Sequence, residues 1–300
     1  MRTRRFVPVL LLAAAGWAVA AAPAQNPQTP PPQQPTFRAV TDLVPVQVSV
    51  RSGRSYVAGL TATDFELSDN GVRQTIETVS TDAQATDVTL VVDTSGSVIK
   101  SIGRFRSDVK RIAGLLRSGE QVRLITFDND VRESFPMQDP KLARVDDIVA
   151  GDLTSLCDAM VFGLARARRP NRHHLVFVFT DGYDNESIAG YGALPDVAGR
   201  SDAVLYVVLV KITGIEPPPQ AAFHALAEAA HSTGGEFYPP SDDPTDVASA
   251  FKTALDSFRH TYTLYFVPKG VITAGWHNLT VKVTKAGTYD VQARQGYFGG

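Results

Sequence analysis

Two stretches of this chain share one form, an apolar run that stops on an aspartate: VTLVVD at 88–93 and HLVFVFTD at 174–181. A strand that is apolar at consecutive positions has to be buried on both faces, which a parallel sheet covered by helices achieves. The rest of the middle of the chain supplies such helices. Ile99, Ile102, Phe105, Val109, Ile112 and Leu116 recur at helical spacing after the first strand, and Leu156, Met160, Val161 and Leu164 do so between Thr154 and Arg168. Strands are expected at 122–127 (VRLITF), 203–212 and 236–240, with 131–135 as a hairpin partner of 122–127 across Asp128-Asn129-Asp130. Helices are expected around 221–230 and 245–258. This alternation predicts an α/β fold with a doubly wound, mostly parallel sheet over residues 85–260. Ligands of such sheets bind beyond the carboxyl ends of the strands, and Asp93 and Asp181 stand there.

The flanks differ in kind. In 38–84, LVPVQVSV (43–50) alternates like a half-buried strand, Pro45 suggests that it lies at a sheet edge, and Asn70-Gly71 marks a hairpin turn. In 261–300, TYTLYFV, HNLTVKVT and TYDVQARQGYF read as a meander. Neither flank is long enough to be stable alone, so the two are expected to pair into a small β-sandwich-like subdomain. Upstream, Arg2, Arg4 and Arg5 precede an apolar stretch from Phe6 to Ala22 that ends in small residues, the form of a secretory signal peptide over 1–24. The stretch is Ala-rich and short for a spanning helix, so an uncleaved membrane anchor is the weaker alternative and a secreted or periplasmic location is expected. A Pro- and Gln-rich segment at 25–37 has little to bury and reads as a linker.

Cys157 is the sole cysteine of the 300 residues, which rules out an intramolecular disulfide. A net charge of -2, without a basic block beyond the N-terminus, argues against nucleic acid as a partner.

The chemistry concentrates in LVVDTSGSV (90–98), where Asp93, Ser95 and Ser97 share the turn between a strand and a helix with no basic residue among them. Taken alone, such residues either cap the helix or seat a hard divalent cation, for which oxygen donors suit Mg²⁺ or Mn²⁺ better than zinc. Thr154 in GDLTSLCDAM and Asp181 in FTDGYD belong to segments ending at the same sheet edge. A serine nucleophile is disfavoured because Thr94-Ser95-Gly96 lacks the leading glycine of a nucleophile elbow. His173 and His174 fall at the opposite edge and read as surface or edge residues. His224, His231, His260 and His277 lack zinc spacing. Asp128 and Asp130 could bind calcium but are explained more simply as turn residues, and Asp184 is either a solvated loop acid, the reading favoured here, or a support behind the metal ligands.

Together these motifs resemble a von Willebrand factor type A domain with a metal-ion-dependent adhesion site. The family's Asp-x-Ser-x-Ser falls on Asp93, Ser95 and Ser97, its distant Thr on Thr154 and its late Asp on Asp181. Asp152 and Leu153 replace two glycines that bacterial members often carry before the Thr, and Cys157 stands where an aromatic residue is common. The resemblance implies that the side chains of Asp93, Ser95 and Ser97 coordinate Mg²⁺ (or Mn²⁺ or Ca²⁺), with Thr154 and Asp181 acting directly or through water. It implies an adhesion-type interaction module, not an enzyme, in which a carboxylate of a protein partner completes the metal's shell. Two alternatives stand beside it. One is a metal-dependent enzyme or enzyme-associated subunit, which would need a general base where no His or Lys is expected. The other is an envelope-assembly element with a vestigial metal site. The chain ends also resemble secreted proteins of this class from acidobacteria, through Gly59, Leu60, Asp64, Phe65, Asp69, Asn70, Gly71 and Gln74 and through Arg294, Gly296, Tyr297 and Phe298. That likeness implies no particular chemistry.

Overall fold

The computed structural model describes residues 43–81, 85–96, 102–144, 151–166, 169, 172–212, 214, 216–240 and 247–299. The expected signal peptide (1–24), the linker (25–37) and Ser97 lie outside the described residues. Residues 41–300 form one compact unit.

At its centre is a six-stranded sheet of order β11-β10-β9-β6-β7-β8. It is made of β6 (Thr86–Asp93), β7 (Gln121–Phe127), β8 (Val131–Gln138), β9 (His173–Thr180), β10 (Val204–Leu209) and β11 (Phe237–Tyr238). All pairings are parallel except that of β7 with the edge strand β8, which closes antiparallel across residues 128–130. Strands β6 and β9 are buried at every position, as their unbroken apolar runs require. Side-chain alternation divides them between two layers of helices. Val88, Leu90 and Val92 pack with Val109 and Ile112 of α1 (Ile102–Leu115) and with Phe251 and Leu255 of α5 (Val247–Arg259). Val91 turns to the other face, toward the cluster holding Met160 and Leu164 of α2 (Leu156–Leu164), Leu194 and Ala198 of α3 (Leu194–Arg200) and Leu226 of α4 (Gln220–Ser232). Each such side chain contributes about 1.5–3 kcal/mol through burial, enough to outweigh weak local propensity. Helix α3 shows the effect. Its LPDVAGR carries Pro and Gly and is not foreseen from sequence, yet Leu194 and Ala198, one turn apart, dock it on the sheet.

This topology locates the crevice. From β6 the chain leaves through α1 on one face toward β7, whereas from β9 it leaves through α3 on the opposite face toward β10. The connections diverge between the adjacent strands β6 and β9, the switch point at which doubly wound sheets bind their ligands.

The flanking strands build a second layer pair. One sheet runs β14-β1-β12-β5, with β2 on β1, and the other runs β15-β13-β3-β4. The first comprises β1 (Val44–Ser52), β2 (Ser55–Tyr56), β5 (Ile76–Ser80), β12 (Thr261–Phe266) and β14 (Asp290–Ala293); the second comprises β3 (Phe65–Asp69), β4 (Val72–Gln74), β13 (Gly275–Val283) and β15 (Gly296–Gly299). All these pairs are antiparallel, and β1 with β12 and β3 with β13 join the two flanks of the chain. Val46, Val48, Val50, Leu264 and Phe266 from one sheet meet Phe65, Leu67 and Leu279 from the other in a shared core. Asn70 and Gly71 make the β3–β4 turn with positive φ of 47° and 79°, the conformation that favours these residues in tight hairpins.

Pro45 does not mark an edge strand, because β1 lies between β14 and β12. The proline is tolerated because pairing with β14 begins only at Val48, so Pro45 has a neighbour on the β12 side alone.

Candidate metal site

Asp93 ends β6 with only 1% of its surface exposed. Its Oδ1 accepts the N–H of Ser95 (2.9 Å), and its Oδ2 accepts the hydroxyl of Thr180 (2.7 Å), whose oxygen in turn accepts the N–H of Gly182 (3.1 Å). Thus the carboxylate of one strand end is fastened to the end of the neighbouring strand. Asp181 follows directly, buried, with its Oδ1 accepting the N–H of Tyr183 (3.1 Å). Burial, followed by the negative charge of Asp181, pushes the Asp93 carboxyl up to about 6, against the pull of hydrogen bonds from Ser95 and Thr180. A buried carboxylate held beside a second acid is destabilised as an anion, and a divalent cation relieves that cost. Ser95 is buried too and adds a neutral oxygen. This donor chemistry fits a hard cation. Among the described residues no three His, Cys, Asp or Glu side chains cluster around a point, and a site of two carboxylates and hydroxyls does not require such a cluster.

Thr154, also buried, immediately precedes the α2 cap. Its loop is joined to the first by Gly151, whose N–H donates to the Thr94 carbonyl (3.2 Å), while the Thr94 hydroxyl and N–H both donate to the Phe127 carbonyl. The described members of the expected set, Asp93, Ser95, Thr154 and Asp181, therefore all lie at the carboxyl edge of the sheet, Asp93 at the end of β6 and the others on the loops around the β6/β9 switch point.

Several residues that sequence reasoning missed build this edge. Helix α2 is capped from a distance: Asp184 Oδ2 accepts the N–H of Cys157 (2.6 Å) and Ser187 Oγ accepts that of Asp158 (3.0 Å). Asp158 returns the contact by accepting the N–H groups of Ile188 and Ala189. Asp184 is thus half-buried and structural instead of a solvated loop acid. The local N-cap residue, Ser155, spends its hydroxyl on the Asn129 carbonyl (3.2 Å). Asp128 and Asp130 do form a turn, and Arg132 pairs with both. His173 and His174 lie at the far edge as expected but are buried, not on the surface. Lys211, exposed two residues beyond β10, stands on the carboxyl edge of the sheet, so that edge does carry a basic group.

The model of the von Willebrand factor type A domain matches residues 87–238, just over half of the chain and all of the central sheet except the first residue of β6. The chain belongs to the von Willebrand factor type A domain family. Members of this family serve as protein-interaction modules and often bind a divalent metal. No curated protein sequence matches the chain. Among solved structures it is similar to a von Willebrand factor type A protein from Catenulispora acidiphila, at 13% identity and a TM-score of 0.48 over 79% of this chain and 74% of the other. It is similar also to the ArnB paralog VWA2 from Sulfolobus acidocaldarius, at 13% identity and a TM-score of 0.47 over 83% and 75% of the two chains. A third likeness is to the conserved hypothetical protein BatB from Bacteroides thetaiotaomicron, at 14% identity and a TM-score of 0.42 over 58% and 98%. Among the described residues no helix of this type A domain protein is long and apolar enough to cross a membrane.

Proposed function

We propose that this chain is a secreted or periplasmic interaction protein whose type A domain holds a divalent cation, Mg²⁺ first, with Asp93, Ser95, Ser97, Thr154 and Asp181, and presents it to an acidic side chain of a protein partner. The observation that carries the reading is the buried Asp93 beside Asp181 at the switch point, a pair whose negative charge calls for a cation. When bound, the cation supplies an electrophilic position for an anionic oxygen. Asp93 provides the principal charge and is held in place by the Thr180 hydroxyl. Ser95, Ser97 and Thr154 would contribute uncharged oxygens, so that few carboxylates bond the cation directly, it stays electrophilic and an incoming carboxylate is favoured. Asp181 sets the local field and acts directly or through a water. No step of this function transforms the partner.

Calorimetric titration of Mg²⁺ and Mn²⁺ into the mature protein, beside Asp93→Ala, tests the proposal. The wild type is expected to bind one ion per chain and the variant to give no heat above dilution. Equal heats from both proteins would contradict it.

A further inference from the structure

We infer that Asn129 and Asn185 are positioning residues for the metal site, holding the Thr154 loop in register from opposite sides; the inference rests on the metal-binding reading above. Four consecutive backbone N–H groups lead into α2 at 152–155, and each is taken by an acceptor from one of two other loops. Asn129 Oδ1 accepts those of Asp152 (3.0 Å) and Leu153 (3.1 Å), Asn185 Oδ1 accepts that of Thr154 (2.8 Å), and the Asp128 carbonyl accepts that of Ser155 (2.9 Å). The grip of Asn185 is reciprocal, since its own N–H donates to the Thr154 carbonyl (3.0 Å) and the next N–H, of Glu186, does the same (3.2 Å). Both peptide groups of Thr154 are therefore fixed by the segment that follows Asp181. Asn185 thus ties one proposed ligand to the loop that bears another.

The chemistry of the acceptor matters. A backbone N–H needs an oxygen at the right place, which Asn or Asp supplies and Ala does not. An amide gives that oxygen without adding a carboxylate beside Asp93 and Asp181, so the loop is ordered while the charge of the site is left to the ligands. Asn129 and Asn185 are both exposed, so water can replace a lost acceptor and the fold survives substitution, but water does not hold the loop in one geometry. Loss of an outer contact of this kind typically weakens metal binding about 10–100-fold.

The test uses the mature full chain with Mn²⁺ as the probe, read by calorimetry, together with hydrogen exchange of residues 152–155 in metal-free protein. Asn185→Ala and Asn129→Ala are each expected to weaken Mn²⁺ binding by about tenfold and to speed exchange across 152–155, with circular dichroism and the melting transition unchanged. Asn185→Asp, which keeps the acceptor but adds a charge, is expected to restore exchange protection. Alanine variants that bind Mn²⁺ and exchange like wild type would overturn the positioning role while leaving the metal reading intact, and so would an Asn185→Asp variant that exchanges as fast as Asn185→Ala. A wild-type protein that takes up no Mn²⁺ would overturn both.

Discussion

His174 shows how strongly a single residue here answers to its surroundings. Its Nε2 lies 2.9 Å from the Thr89 hydroxyl inside the sheet. Burial above all holds the imidazole down to about 4, with Arg123 acting in the same direction and Asp87 opposing both. In the unfolded chain the same group protonates near 6.5, so between these values the unfolded state binds more protons than the folded one. The stabilisation is complete above pH 6.5 and is lost as pH falls toward 4, by about 3 kcal/mol over the window at ~1.4 kcal/mol per unit. Urea unfolding at pH 7, 5.5 and 4.5 should show this loss in the wild type and a smaller one in His174→Gln; parallel losses would contradict the assignment. Residue-level legibility was uneven. Asp93 and Asp181 were readable because each terminates an apolar run. Thr180 as the partner of Asp93 was not, because that hydrogen bond depends on the register of β6 against β9, in which Val92 pairs with Phe179.

At the scale of elements, helix α2 was legible from its apolar period, and its cap was not. The acceptors for its first N–H groups come from Asp184 and Ser187, brought in only by the fold. Asp184→Ala is expected to destabilise the protein by about 1 kcal/mol, the usual worth of a cap, measurable by chemical denaturation; no change would show that water serves equally well. The motifs at the two chain ends, chemically silent in the sequence, become one structural cluster. Asp69 of β3, completely buried, accepts from the Tyr297 hydroxyl of β15 (2.9 Å) and meets His277 Nδ1 of β13 at 2.9 Å. Gln74 exchanges hydrogen bonds with the backbone of Lys269. At Gly296 a Cβ would collide with the Trp276 ring and the His277 carbonyl. Gly296→Ala should therefore cost about 1–3 kcal/mol by overpacking, seen as a lowered melting temperature. An unshifted melt would mean that β15 moves aside freely.

For the whole molecule, the doubly wound sheet could be read from hydrophobic patterning because central parallel strands must be apolar throughout. How the sandwich attaches could not, because it depends on a few polar groups meeting across the fold. Arg294, 5% exposed, donates to the carbonyls of Ser201 and Ala203 beside α3, and Arg51 reaches Glu236 and Ser257. The sandwich is thereby fastened beside α3 and α5, away from the carboxyl edge. Arg294→Ala removes charged donors from buried carbonyls and is expected to lower stability by about 1.5–3 kcal/mol without changing metal affinity. Weakened Mn²⁺ binding in that variant would show that the two parts are coupled. Anomalous scattering from crystals grown with saturating Mn²⁺ would locate a cation among the loops at the β6/β9 switch point. One strong anomalous peak is expected within bonding distance of the Asp93 carboxylate and the Ser95 hydroxyl; a map with no peak there would rule the cation out.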